Sequence, residues 1–233
     1  MKKGKLPDFR FERRAGRAGY TFIAGVDEVG RGCFAGPLVT GCVIFRSESK
    51  EVPFKVGIGI LINDSKKMQP RHREKSAEWI KDNALAFGIG EVSVQKINHV
   101  GMGKAAKIAF RQAISKARKR LGHPIDFLLA DAFFIPYVPG LPARGRRRQQ
   151  AIVNGDEKSV SIAAASIIAK VYRDKLMQNL SRRPKYKKYG WGRNKGYGTR
   201  EHQNAIKKYG TTRQHRKQFV ETWLRNSSSF RAQ

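Results

Sequence analysis

The sequence predicts an α/β fold with a mixed sheet flanked by helices, and three observations carry that expectation. Short apolar runs alternate with longer helical stripes in the order strand, strand, helix, strand, helix, strand, strand, helix. The first two runs are joined through Gly30-Arg31-Gly32 and Gly36-Pro37, a glycine-rich connection that suits an antiparallel pair. A chain of 233 residues, 40% of them hydrophobic, is long enough for one large core, and 23 glycines with nine prolines are too few for a fibrous or disordered chain.

The elements follow in order. Residues 1–19 show no periodic apolar face and scatter Gly4, Pro7, Gly16 and Gly19, which predicts a flexible basic arm. Residues 20–26 alternate and read as a strand, residues 38–45 as a second, and residues 51–61 as a short strand or loop. Asn63-Asp64-Ser65 is helix-start chemistry and Pro70 suits a first turn, so a helix is expected over residues 70–83 with Trp79 and Ile80 inward. Residues 86–94 alternate again. Residues 97–121 form the longest helical segment, with Ile108, Ala109 and Ile114 on one stripe, weakened at its start by Gly101 and Gly103 and stopped by Gly122 and Pro124. Residues 125–130 are a short buried strand, residues 133–150 an arginine-rich loop, and residues 151–153 another strand. Residues 159–180 predict a strong helix whose Ala163-Ala164-Ala165-Ser166 stretch lacks bulk and lets it lie close on a sheet. A last helix is expected over residues 200–209.

Charge narrows the partners. The chain holds 48 Lys and Arg against 18 Asp and Glu, a net +30, and residues 181–233 carry 15 bases and 2 acids. Such a field favours a polyanion, since each phosphate neutralised releases a counterion. It says nothing about chemistry. The longest apolar run, residues 161–169, is too short to span a bilayer, and the basic start is followed by charges rather than an apolar signal core. A cytoplasmic protein without a membrane partner is expected. Cys33 and Cys42 are read as small buried hydrophobes, since a reducing cytosol disfavours a disulfide and two cysteines do not make a four-ligand zinc site.

In so basic a chain, acids at the ends of apolar strands need a reason. Asp27 and Glu28 end one such run, Asp131 ends another, and Asp156 follows a third. Acids in such places cost free energy unless paired or bound to a cation. Pairing with Lys or Arg is one solution. The other is a hard divalent ion, Mg2+ or Mn2+, for which carboxylate oxygens are the natural donors. Two such ions can activate water and stabilise the leaving oxygen of a phosphodiester. Neighbouring strand residues point to opposite faces, so Asp27 and Glu28 serve one site only if the strand is distorted near Gly30. Gly30-Arg31-Gly32 would let backbone N–H groups approach a phosphate or sugar, with an ordinary tight turn as the competing reading.

Together these segments resemble the ribonuclease HII family. The string Ile23-Ala24-Gly25-Val26-Asp27-Glu28-Val29-Gly30-Arg31-Gly32 with Ala35-Gly36-Pro37 is similar to its first motif, and Asn63-Asp64-Ser65-Lys66-Lys67-Met68 to its second. Leu129-Ala130-Asp131-Ala132 resembles the strand bearing its third acid. Gly155-Asp156-Glu157-Lys158-Ser159, then Ile162 to Val171 and Arg173, resembles the fourth acid and its helix. Lys195-Gly196-Tyr197-Gly198-Thr199, His202 and His215-Arg216 resemble the C-terminal segment, so the likeness runs from about Tyr20 to Trp223. It implies a ribonuclease H-like fold with a C-terminal helical extension: an arm over residues 1–19, a catalytic domain over 20–180 and a basic substrate-binding extension over 181–233.

It further implies a monomeric, Mg2+- or Mn2+-dependent endonuclease with a two-metal mechanism, acting on RNA/DNA hybrids and on duplex DNA containing single ribonucleotides. Cleavage 5′ to the ribonucleotide would leave a 3′-hydroxyl and a 5′-phosphate, in the service of ribonucleotide removal. By motif, Asp27, Glu28, Asp131 and Asp156 are the metal ligands. Gly30, Arg31 and Gly32 would contact the 2′-hydroxyl and junction phosphate, Tyr197 would pack on the following deoxyribose, and Lys66 and Lys67 would hold backbone phosphates. Asp64 is expected to cap a turn or helix. His202 and His215 are isolated by spacing and receive no metal role, and Tyr186 and Trp191 suit either base stacking or packing. A non-catalytic RNA-binding protein is the rival from another class, and the four acids argue against it. A ribonuclease HIII-type preference is the rival within the enzymes, and that family usually carries an N-terminal domain larger than the 19-residue arm. Residues 227–233 hold Phe230 but no clamp-binding motif.

Overall fold

The computed structural model describes residues 6–46, 61–138, 141 and 148–229, which include a mixed sheet. Its strands are Phe22–Val29 (β1), Leu38–Arg46 (β2), Ala86–Val92 (β3), Phe127–Asp131 (β4) and Gln149–Ile152 (β5). They lie in the order β3-β2-β1-β4-β5, with β1 antiparallel to β2 and parallel to β4, and β4 parallel to β5. The helices are Arg10–Arg17 (α1), Pro70–Asn83 (α2), Val94–Val100 (α3), Met102–Leu121 (α4), Val160–Ser181 (α5), Pro184–Lys187 (α6), Trp191–Asn194 (α7), Arg200–Tyr209 (α8) and Lys217–Ser229 (α9). No helix among the described residues is long and apolar enough to cross a membrane. Residues 51–60 and 142–147, and with them most of the strand or loop expected at 51–61 and of the arginine-rich run, lie outside the described residues, as does Phe230.

Two compact units divide the chain. The first comprises Met1–Val29, Val39–Glu91 and Lys107–Val171, the second Gly30–Leu38, Val92–Ala106 and Tyr172–Gln233. The first unit ends at Val171 within α5, and the second also draws on two upstream stretches.

In the first unit, strand alternation sorts residues to two faces. Ala24, Val26, Cys42, Ile44, Leu128 and Ala130 pack with Phe110, Ala113, Ile114 and Ala117 of α4. Val43 and Phe45 pack with Ala163, Ala164 and Ile167 of α5 and with Ile80 of α2. Burying each large apolar side chain is worth about 1.5–3 kcal/mol, so these two faces hold the sheet. The small residues of α5 do what their composition predicts. A Cβ on Gly25 or Gly41 would collide with the α5 backbone at Ser161 or Ala165. Cys33 and Cys42 are buried free thiols, as expected.

Four expectations need correction. The arm over residues 1–19 contains α1, because Phe9 and Ala15 are buried in the core and Glu12 is only 2% exposed. The long helix expected over residues 97–121 is two, α3 and α4, separated at Gly101, whose φ of 79° no helical residue adopts. The third strand stops at Val92 because Ser93 caps α3, its hydroxyl accepting from the Lys96 N–H at 3.3 Å. The last strand begins earlier than residue 151, at Gln149, and Val153 beyond it is exposed.

Candidate active site

The first unit carries the acids. Val26 pairs with Ala130 on the parallel strands β1 and β4, and Asp27 and Asp131 come next on each. By alternation both belong to the face of Ile23 and Leu129, which packs with Ile162 of α5. Asp156 stands in the 3-10 turn Gly155–Glu157 that leads into α5. The Gly155 N–H donates to Asp131 Oδ1 at 2.7 Å and ties this turn to the strand end. Three acids from remote parts of the sequence are thus gathered on the α5 side of the sheet.

Glu28 is placed differently. Pairing with β2 continues in register through Asp27↔Gly41, Glu28↔Thr40 and Val29↔Val39, so the strand is regular across both acids and breaks only at Gly30, where φ is 89°. Glu28 then belongs by alternation to the α4 face, half-buried at the strand end. The distortion expected to bring Asp27 and Glu28 to one face comes after them.

The electrostatics record crowding. Asp27 is 4% exposed. Burial pushes its carboxyl well above the usual range, Glu28, Asp131 and Asp156 add to this, and a hydrogen bond from Ser166 opposes it. Burial also raises Asp156, against the pull of Lys66. Lys66 Nζ lies 3.7 Å from Asp156 Oδ2. Burial lowers the Lys66 ammonium, and the combined attraction of Asp156, Asp27, Asp64 and Asp131 outweighs it, leaving a raised pKa. Lys67 donates to Glu157 Oε1 at 2.7 Å and lies 3.8 Å from Asp64 Oδ2. Asp64 Oδ1 accepts the Lys66 N–H at 2.9 Å, capping the turn as expected. Among the described residues no three His, Cys, Asp or Glu side chains stand ready as an ion's ligand set.

The second unit holds Gly30, Arg31, Gly32 and Tyr197. Gly30 is buried while Arg31 and Gly32 are exposed. Residues 30–37 are braced from beneath by two arginines that are 0% exposed. Arg173 Nε donates to Pro37 O at 3.0 Å, Nη2 to Ala35 O at 3.1 Å and Nη1 to Lys195 O at 2.8 Å. Arg216 Nη1 donates to Gly30 O at 2.6 Å and Arg31 O at 2.8 Å, Nε to Gly36 O at 3.0 Å, and Nη2 to Pro37 O at 3.0 Å. Burial lowers the Arg216 pKa to about 10, and it stays charged at neutral pH. The N–H groups of Phe34 and Ala35 both reach Gly196 O, which joins this loop to the segment bearing Tyr197, a side chain 38% exposed.

That segment rests on the two histidines that looked isolated. His202 Nδ1 meets Tyr197 O at 2.9 Å, its Nε2 accepts from Trp191 Nε1 at 3.0 Å, and His215 Nε2 lies 3.1 Å from the same atom. His215 Nδ1 accepts from the Thr212 N–H at 2.8 Å. One pair of neutral tautomers satisfies all four contacts: His202 carries its proton on Nδ1 and His215 on Nε2. Trp191 and Tyr186, 0% and 2% exposed, pack against each other with tilted rings in the core of this unit, so of the two roles open to them the structure gives packing. Glu12, Arg173, Arg216, His202 and His215 are what spacing alone did not supply. Complete burial distinguishes these two arginines from the other bases described.

Residues 24–223 match the model of the family described as ribonuclease HII. The chain is 42% identical over 215 residues to ribonuclease HII of Caldanaerobacter subterraneus subsp. tengcongensis, covering 92% of this chain and 80% of that one. It is 42% identical over 216 residues to ribonuclease HII of Wolbachia pipientis wMel, covering 93% and 96%. The crystal structure of ribonuclease H2 from Pyrococcus horikoshii OT3 superposes with a TM-score of 0.66 at 25% identity, over 86% of this chain and 96% of that one.

Proposed function

The chain belongs to the ribonuclease HII family, ribonuclease H-type endonucleases acting on the RNA of RNA–DNA hybrids, and from that premise we propose a metal-dependent enzyme that also cuts 5′ to single ribonucleotides in duplex DNA. The observation that carries the reading is the gathering of Asp27, Asp131 and Asp156 on one face of the sheet. The donor set fits a hard cation: it is all carboxylate oxygen, and Lys66 already sets a positive charge against it. Asp27, Asp131 and Asp156 would hold Mg2+ or Mn2+, and Glu28, on the other face of the strand, would join them only by reaching round the strand end. Bound there, two such ions would polarise the scissile phosphate, lower the pKa of the attacking water and stabilise the departing 3′ oxygen.

The chain's own residues supply the rest. Buried carboxylates on strand ends are rigid, so little reorganisation accompanies binding. Arg216 and Arg173 turn the carbonyls of residues 30–37 inward, and their buried charges favour a phosphate over the loop. The exposed Arg31 and Gly32 would then meet the junction phosphate and 2′-hydroxyl, and Tyr197 the following deoxyribose, where a 2′-hydroxyl would crowd the ring. Lys66, set between Asp156 and solvent, would hold a phosphate oxygen once the acids are neutralised. Lys67, paired with Glu157, would reach the backbone only after releasing it. Water adds across the P–O3′ bond, leaving a 3′-hydroxyl and a 5′-phosphate. A monomer in the cytoplasm, removing misincorporated ribonucleotides, completes the proposal. The test is a labelled duplex with one ribonucleotide. A single metal-dependent cut 5′ to it, lost in Asp27→Asn, is expected, and no cut by the wild type would overturn the reading.

A further inference from the structure

We propose that Glu12 is a positioning residue for this reaction, holding the entry to α5 so that Asp156 stays fixed against Asp131. The inference rests on the reading that these acids hold a divalent ion. It starts from a side chain whose burial its sequence neighbours do not explain. Glu12 lies in α1 between Phe11 and Arg13, in a chain of 48 bases, and is 2% exposed. Its Oε1 accepts from the Ser159 hydroxyl at 2.6 Å and from the Ser161 N–H at 2.9 Å. Both donors belong to the entry of α5, where a negative charge meets the positive end of the helix dipole.

From Ser159 the bonds lead straight to the acids. The Ser159 N–H donates to Gly155 O at 2.8 Å and the Lys158 N–H to the same oxygen at 3.0 Å, closing the turn that bears Asp156. The Gly155 N–H donates to Asp131 Oδ1 at 2.7 Å. Glu12, Ser159, Gly155 and Asp131 thus form one relay, with Asp156 next to its third member. The helix that presents Glu12 is itself anchored to this segment. The Asp8 N–H donates to Lys158 O at 3.2 Å, Phe9 packs edge-on against Phe45 at 5.8 Å, and Ala15 shares a core cluster with Ile162. Without Glu12, a buried hydroxyl and a buried amide at the root of the Asp156 turn would lose their acceptor, and the turn would be free to move relative to β4.

Outer partners that orient metal ligands set affinity more than chemistry. The experiment uses the full chain and two readouts, Mn2+ binding by calorimetry and the metal concentration giving half-maximal cleavage of a single-ribonucleotide duplex. Glu12→Ala and Ser159→Ala should each weaken Mn2+ binding by about 10-fold and move the half-maximal metal concentration by the same factor. Their rates at saturating metal should stay within about threefold of the wild type, because the reacting groups are intact. Glu12→Gln keeps an oxygen facing Ser159 and should restore most of the affinity. The double variant should be no worse than either single one, since both break the same relay. Wild-type Mn2+ affinity in Glu12→Ala and Ser159→Ala, with only the melting temperature lowered, would overturn the proposal. If Glu12→Ala does not fold, Ser159→Ala decides alone. Failure of the underlying metal reading shows itself separately, as a wild-type protein that neither binds Mn2+ nor cuts.

Discussion

At Gly30, backbone and side-chain demands coincide. Its φ of 89° is open to glycine, and a Cβ there would collide with the Arg173 guanidinium. Gly30→Ala should therefore cost about 1–3 kcal/mol of stability and weaken binding to a single-ribonucleotide duplex, read by thermal melting and by fluorescence anisotropy. Arg216→Lys should be worse. Lysine has no planar fork to serve the carbonyls of residues 30, 31, 36 and 37, and the loss should be about 3 kcal/mol or more. A variant melting within a degree of the wild type would refute the brace. Gly30 and the strand-end acids were legible in the sequence because each breaks a local pattern. Arg216 was not, because it is one of 15 bases in residues 181–233 and only a fold shows which base is buried.

Among the elements, the segment from α7 through α8 to residue 216 depends on two neutral histidines. Burial lowers His215 to about 4, and its neighbour His202 is lowered by burial as well. The unfolded chain binds these protons near the ordinary histidine value of about 6.5, so it holds more protons than the folded chain between that pH and about 4. Stability is then fully present above about 6.5 and falls as pH drops toward 4, by about 3 kcal/mol for His215 alone. Melting temperatures across this window should fall in the wild type and flatten in His215→Gln, and parallel curves would contradict the assignment. Strand alternation and the long helical stripes gave the sheet and its two faces from sequence. The short α1 was missed because only Glu12 and Ala15 of it are buried, and one of those is an acid. The pair His202 and His215 was missed because the two rings in contact stand 13 positions apart in the sequence.

For the whole molecule, charge and division into units matter most. A net +30 should make duplex binding steeply salt-dependent, and 6–10 phosphate contacts would lose about 10³–10⁵ in affinity between 50 and 200 mM salt. Anisotropy titrations with an inactive variant in the absence of metal would read this, and a flat dependence would contradict a phosphate-led interface. Composition revealed the polyanion partner but not the boundary between units, because that boundary lies inside the continuous helix α5. The central claim is that the acids gathered under α5 are the reaction centre. Asp131→Asn tests it most directly, since Asp131 ends β4 and receives the Gly155 N–H, which an amide oxygen also accepts. In Mg2+, cleavage of a single-ribonucleotide duplex should fall by at least about 10³-fold, with melting temperature and duplex affinity unchanged. Cleavage at the wild-type rate by a folded Asp131→Asn protein would contradict the account.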